Sequence, residues 1–255
     1  ALGEVGVEVA VEDRVARRLV AVPASLVGDL HGEGRPRADG LAVQVGRVVA
    51  VRRVAPLVRV EVVGQGAAEG TVIVAEEQTA GKGRLKRTWL APRGNIAMSV
   101  ILHPSLSNLP SLIMLASLAV VHSIESVTGL KAQIKWPNDI LINGKKVCGI
   151  LIENEFLGKT VTASIIGIGI DVNLRLADFP EIQSIATSLS DELGKEVSRL
   201  SLIRSLLVEM ESLYLALSAG GSPSTEFTLS EANVLRTGLF DEWRDSLVTL
   251  GKKVR

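Results

Sequence analysis

Three short stretches hold residues that could do chemistry. The first is Gln78-Thr79-Ala80-Gly81-Lys82-Gly83-Arg84-Leu85-Lys86-Arg87, in which cations surround two glycines. Glycine lets a backbone approach a ligand closely, and a ring of cations can then wrap a phosphate. The spacing matches neither G-x-x-x-x-G-K-[ST] nor GxGxxG, so it is neither a P-loop nor a dinucleotide fingerprint. Read alone, a solvated basic turn explains it as well. The second stretch runs from Lys135-Trp136-Pro137-Asn138-Asp139 through Asn143-Gly144-Lys145-Lys146 to Val147-Cys148-Gly149-Ile150-Leu151-Ile152-Glu153. Pro137 has no amide hydrogen and biases Trp136 to extended backbone. Asn143-Gly144 between two apolar runs is a hairpin signal, because both residues tolerate positive φ. Simple alternation puts Lys146 on the face of Cys148, Ile150 and Ile152. A lysine at the rim of an apolar face needs an anionic partner or an exit to water.

The third stretch is Ile166-Gly167-Ile168-Gly169-Ile170-Asp171-Val172-Asn173. Alternation places the isoleucines on one side and Gly167, Gly169, Asp171 and Asn173 on the other. A strand with a bare glycine face admits a ligand, or a tightly packed helix, at close range. Cys148 has no histidine nearby in sequence and reads as a small buried hydrophobe rather than a nucleophile.

These stretches must be carried by regular elements. Thr71–Ala75 and Asn95–Leu102 read as strands, with the basic loop of residues 80–87 between them and Trp89 closing it. Leu109-Pro110 opens an amphipathic helix that Gly129 stops. The Lys135 hairpin follows, then a strand over 160–173, a helix over 201–217, a break at 220–224, and a mainly helical stretch over 225–248 interrupted near Gly238. Strands joined by a tight turn and mixed with helices predict an α+β domain with a mixed sheet. Residues 1–64 differ: they contain no Lys, Ile, Asn, Thr, Met, Cys, Phe, Trp or Tyr, and Val is abundant. One or two short helices are expected over Leu2–Leu19 and β structure over Leu41–Val63. No convincing basic recognition helix is visible there.

Composition narrows the possibilities further. Of 255 residues, 47% are hydrophobic and 22% charged, as in globular proteins, and the formal net charge is zero. Bulk charge therefore makes no case for nucleic acid or an anionic membrane, so any anion site must be local. A single Cys excludes an intrachain disulfide and fits a reducing cytosol; His31, His103 and His122 are scattered, which argues against a histidine metal site. No apolar run looks long enough to span a bilayer, and no secretory leader is apparent.

Taken together, in this order and spacing, the phrases EQTAGKGR (77–84), KWPND (135–139), KVCGILIE (146–153) and GIGIDVN (167–173) resemble the biotin–protein ligase family, over about residues 65–250. The resemblance implies a mixed β-sheet flanked by helices, like a class II aminoacyl-tRNA synthetase core. It implies that biotin and ATP with Mg²⁺ give biotinyl-5′-adenylate, and that biotin then passes to one lysine of a biotin carboxyl carrier domain. It implies that Gln78, Lys82, Gly83, Arg84, Lys146, Gly149 and Gly169 contact biotin, with Lys146 and Arg84 acting on the reacting groups. It places Arg84, Arg87, Trp89, Asp139 and Asp171 at ATP or the adenylate, and Asp171 at Mg²⁺. A cytoplasmic protein, often a homodimer, and off the membrane is implied; the alternatives are a biotin-responsive transcriptional repressor, with DNA a partner only if the N-terminal segment were a helix-turn-helix, and an inactive remnant of the ligase. The chain departs from the family pattern in having Lys82 for the commoner Arg, Lys86 for Gly and Asp171 for Asn. It also has no Ser-Thr-Asn phrase within residues 1–70. Residues 1–64 are expected to be an atypical segment, 65–250 the catalytic domain, and 251–255 the stub of a small SH3-like domain.

Overall fold

The computed structural model describes residues 66–219 and 238–252, together with the backbone of strands within residues 8–51. Among the described residues, nine strands form one mixed sheet. They are β1 (Glu8–Val11), β2 (Arg18–Val20), β3 (Arg47–Val51), β4 (Thr71–Ala75), β7 (Ile96–Leu102), β8 (Gln133–Lys135), β9 (Asp139–Ile142), β10 (Lys145–Leu157) and β11 (Thr160–Ile170). Their order is β2-β1-β3-β4-β7-β11-β10-β9-β8. β3 runs parallel to β1 and to β4, and the other neighbours are antiparallel. A separate hairpin pairs β5 (Gln78–Lys82) with β6 (Thr88–Ala91).

The helices are α1 (Leu112–Thr128), α2 (Leu189–Leu193), α3 (Arg199–Ala219) and α4 over 238–245. A 3-10 turn, Leu106–Ser111, carries Pro110 and leads into α1, and Gly129 ends α1 in the left-handed region at φ 74°. That glycine meets nothing within 4 Å where a side chain would sit, so its use is conformational. The stretch 106–128 is long and apolar enough to cross a membrane by length and composition, against the sequence expectation. Here Leu112, Leu115, Leu118, Val120 and Ile124 of α1 are instead buried against the sheet.

The two faces of the sheet differ. Val72, Ile96, Met98, Val100, Ile140, Ile150, Ile166, Ile168 and Ile170 pack on α1 and on Leu202, Leu206 and Met210 of α3. Each such buried side chain contributes about 1.5–3 kcal/mol. The opposite face is lined by Ile73, Ala75, Ala97, Ile101 and Ala163, with Ala91 and Trp89 of the β5–β6 hairpin packed on it. The core of the fold thus lies on the helix side, which leaves the other face available.

One sequence expectation changes and another is met. Glu8–Val11 and Arg18–Val20 are strands rather than parts of short helices. The run Val5, Val7, Val9, Val11 has a period of two, the strand signature, and β-branched residues favour it. β3 falls within the β-rich stretch expected over 41–63, and because it pairs with β4 the sheet continues across residue 64. The break at 220–224 and the helical stretch over 225–237 lie outside the described residues.

His122 of α1 ties three helices. Its Nδ1 lies 3.1 Å from Glu209 Oε2 of α3, and its Nε2 lies 2.6 Å from Glu242 Oε1 of α4. A neutral imidazole donates from only one nitrogen, so two carboxylates on two nitrogens select the imidazolium. Burial alone would lower its pKa, but the hydrogen bonds to Glu209 and Glu242 outweigh this and raise it. A raised folded value means the stabilisation is complete below the unfolded value of about 6.5 and is lost as pH climbs through the folded value. The Tm difference between the parent and His122→Ala is therefore expected to be larger at about pH 6 than at about pH 9. Calorimetry at the two pH values measures it, and a difference independent of pH would contradict the clasp.

Candidate functional site

The site begins with an irregularity in β10. On β9, Lys146 pairs with Leu141, but the next pair is Cys148 with Ile140, so Val147 is an extra residue. A bulge of this kind shifts the alternation of side chains by one. Val147 and Cys148 both enter the helix-side core. Lys146 turns to the opposite face, and the sequence expectation that it shares a face with Cys148 and Ile150 is corrected. Alternation alone could not reveal the bulge. Buried on the core side, Cys148 has its thiol pushed up in pKa by desolvation, which agrees with an inert role.

The registers then place one row of small residues across five strands. Asp139 faces Gly149, Gly149 faces Gly169, Gly169 faces Ala97, and Ala97 faces Ala75. Cross-strand partners share a face. The row is a shallow trough with a charged end. There, Lys146 Nζ lies 2.6 Å from Asp139 Oδ1. A Cβ on Gly149 would lie 3.3 Å from that same ammonium.

The β5–β6 hairpin lays Trp89 in the trough. A Cβ on Gly169 would collide with Nε1, Cε2 and Cζ2 of the indole, and one on Gly149 would lie 3.1 Å from Cζ3. The Lys146 ammonium sits 5.2 Å from the ring centroid, within cation–π range. Gly81 is required by the hairpin itself, because a Cβ there would strike the Trp89 carbonyl oxygen; Gln78 Oε1 would lie 3.1 Å from it. Between the strands the basic loop is a tight turn in which Leu85 and Lys86 take positive φ of 54° and 60°. That conformation costs a residue with a side chain roughly 1–2 kcal/mol, and Lys86 holds it where glycine would be unstrained.

The structure brings Trp89, Asp139, Lys146, Gly149 and Gly169 together. Lys82, Arg84, Lys86 and Arg87 remain exposed on the hairpin, with Gly83 N–H donating to Arg87 O at 2.8 Å. Arg84 reaches toward the site only through Nη1 to Asn138 Oδ1, at a long 3.5 Å. Asn138 itself extends the β9–β10 ladder, its side chain donating to Ile150 O at 3.0 Å and its carbonyl accepting from Ile150 N at 2.9 Å.

Asp171 lies within range of the Lys146 charge but is held by other partners, and it does not fit a metal ligand. It is 4% exposed, and its Oδ1 accepts from Asn95 Nδ2 at 3.0 Å while Asn95 Oδ1 accepts from Val172 N–H. Burial lifts its pKa to about 8, opposed by the charge of Lys146. Near neutral pH it is therefore largely protonated, an isostere of asparagine. Among the described residues no group of three or more His, Cys, Asp or Glu is placed to hold a metal. Asn95 escaped the sequence reading because nothing in its neighbourhood marks a partner 76 residues away.

Residues 60–171 match the model of the biotin/lipoate A/B protein ligase family. The chain is 48% identical over 158 residues to the bifunctional ligase/repressor BirA of Bacillus subtilis, covering 60% of this chain and 49% of that protein. It is 34% identical over 151 residues to the biotin–[acetyl-CoA-carboxylase] ligase of Mycobacterium tuberculosis, covering 56% and 54%. The chain thus spans about half the length of the curated relatives it matches. The structure of biotin protein ligase from Aquifex aeolicus in complex with biotin and ATP superposes with a TM-score of 0.62 at 28% identity, over 80% of this chain and 79% of that one. The α+β fold with a mixed sheet is the fold of these ligases.

Two expectations follow. Gly169→Ala expels Trp89 from the trough, so tryptophan emission shifts and quencher accessibility rises in a Trp136→Phe/Trp243→Phe background; unchanged emission would place the indole elsewhere. For Asp171, the folded state disfavours the ionised form, a penalty that grows from about pH 4 and is complete above about pH 8. Asp171→Asn is therefore expected to raise the Tm at about pH 9 by about 2–4 °C, the shift of roughly 1 kcal/mol in a chain this size, and to leave it unchanged near pH 4. A lowered Tm at high pH would show that the carboxylate is needed.

Proposed function

We propose that this chain, whose residues 60–171 belong to the biotin/lipoate A/B protein ligase family, joins biotin to a specific lysine of a biotin carboxyl carrier domain by way of biotinyl-5′-adenylate. The observation that carries the reading is the Lys146–Asp139 pair at the end of the Gly149–Gly169 row. A flat bicyclic ligand suits a trough without side chains, and an ammonium at its end suits the carboxylate such a ligand would carry.

In the proposed first step a carboxylate oxygen of biotin attacks the α-phosphorus of ATP, and pyrophosphate leaves. In the second, the acceptor lysine amine attacks the carbonyl carbon of the mixed anhydride, and AMP leaves. Neither step needs a protein nucleophile, in keeping with the buried Cys148. Lys146 would bridge the carboxylate and α-phosphate oxygens and neutralise charge that grows between them. Asp139 would aim that ammonium. Arg84, with Lys82, Gly83 and Arg87, would come down from the β5–β6 hairpin over the adenylate, shielding the anhydride from water. Trp89 would leave the trough as Gln78, Gly149 and Gly169 receive biotin, and would then pack against the adenylate. Mg²⁺ would enter bound to the phosphates of ATP as part of the substrate, since such ions are commonly held by phosphates and few carboxylates; Asp171 is not assigned to it. Residues 65–250 are taken as the catalytic domain, acting in the cytoplasm and off the membrane, with a second copy of the chain as a homodimer partner. No observation among the described residues favours DNA.

Transfer of radiolabelled biotin to a carrier domain, with ATP and Mg²⁺, tests the reading directly. Incorporation confined to one lysine is expected, and none with parent enzyme would reject it. Lys146→Ala should slow pyrophosphate release by about 10²-fold or more, the scale of losing one preorganised donor at a developing charge. A near-parent rate would remove Lys146 from its role.

A further inference from the structure

β11 ends at Ile170, the partner of Cys148, with Asp171 N–H still donating to Val147 O at 2.9 Å, and a different segment supplies the partners of Lys146 on that side. Lys146 N–H donates to Ile185 O at 2.9 Å, and Lys146 O accepts from Thr187 N–H at 2.8 Å. The segment thus runs parallel to β10 at Ala186. It belongs to a long connection after β11 with a small core of its own, Leu174, Leu176 and Ala186 under Phe179 and Ile182. Lys145 Nζ donates to Gln183 O of the same connection at 3.2 Å.

One carboxylate binds this segment to the β9–β10 turn. Glu192, in α2, accepts from Thr187 Oγ1 at 2.6 Å through Oε1 and from Asn143 Nδ2 at 2.7 Å through Oε2. Asn143 is the first turn residue, at φ 50°. Thr187 is buried. The helix presenting Glu192 is fixed by its cap, Ser188 Oγ accepting from Asp191 N–H at 3.1 Å, and by Leu189 N–H to Asp171 O at 2.9 Å. The backbone of Lys146 therefore lies between two segments, and the two oxygens of a single side chain join them.

We infer that Glu192 is a positioning residue for Lys146: it sets the backbone from which the ammonium reaches the trough, without touching substrate itself. The inference rests on the ligase reading above. Charge-assisted hydrogen bonds of this length are the stronger ones, and a displacement of about 1 Å at a reacting group can cost about 10²-fold in rate.

The test uses the full chain and follows pyrophosphate release with biotin and ATP. Glu192→Ala is expected to lower kcat by about tenfold or more per folded molecule, with the KM for biotin within about twofold of the parent, at a temperature well below its Tm. Glu192→Gln retains acceptor and donor atoms that Thr187 and a flipped Asn143 amide can meet, and it should restore most of the rate. Thr187→Val and Asn143→Gly each remove one of the two hydrogen bonds while keeping shape or turn, and each should give part of the loss even if Glu192→Ala fails to fold. Parent-like kcat in all three disrupted variants, or a loss that merely follows the folded fraction, would overturn the brace. A parent chain that releases no pyrophosphate would instead overturn the ligase reading, and the brace with it.

Discussion

One inserted residue decides what this protein can do. Without Val147 as a bulge, Lys146 would point with Cys148 and Ile150 into the helix-side core. Burying an ammonium there would cost several kcal/mol with no acid to meet it. With the bulge, the same side chain emerges at the end of a row of glycines and alanines, 2.6 Å from Asp139. The neighbouring structure completes the backbone around this defect. Asn138 extends the ladder on one side through Ile150, and residues 185–187 replace the missing strand on the other. A bulge ordinarily leaves polar groups unmatched; here the Val147 carbonyl accepts from Asp171 N–H just past the end of β11.

The trough exists because the sheet divides its work between its faces. The isoleucines, leucines and valines that pack on α1 and α3 supply the burial that holds the sheet. The opposite face can then be nearly bare at Gly149, Gly169, Ala97 and Ala75 without loss of the fold. A bare sheet face is nonetheless apolar surface open to water. Trp89 covers it, brought there by a hairpin whose own closure needs Gly81. Under the ligase reading the indole and a flat ligand would compete for the same surface, so the hairpin bearing the exposed cations would have to move as the trough fills.

What was legible in the sequence follows from the range of the physics involved. The hairpin at Asn143-Gly144, the strand of alternating isoleucine and glycine, and the helix ended by Gly129 depend on local conformational preference and on periodicity, and each lies where the sequence puts it. Lys146, Gly149 and Gly169 were readable as a group because their phrases recur in a recognisable order, and Trp89 because it closes the basic loop beside one of them. Two features were not readable, and a third was misread. The bulge at Val147 arises from competition between two pairing registers. Asn95 and Glu192 act through side-chain hydrogen bonds to partners up to 77 residues distant. The strands at 8–11 and 18–20 were mistaken for helix although the Val5–Val11 alternation marks them, because the composition around them is rich in alanine, arginine and leucine, all good helix formers.

The charge balance at the trough's end constrains how a ligand can enter. Lys146 and Asp139 neutralise each other at rest, so the site offers an incoming carboxylate little net attraction at long range. An anion gains the ammonium only by taking it from Asp139, whose own charge then needs compensation. Asn138, adjacent to Asp139, already receives Arg84 Nη1 at 3.5 Å. Moving Arg84 inward by a short distance would bring a second cation to the same corner while the indole of Trp89 withdraws from Lys146. Under the ligase reading, ligand entry, release of Lys146 and descent of the arginine are then one electrostatic exchange. A single carboxylate would drive it weakly, and a carboxylate together with phosphates strongly. The hairpin would therefore close fully only when both halves of the adenylate are present.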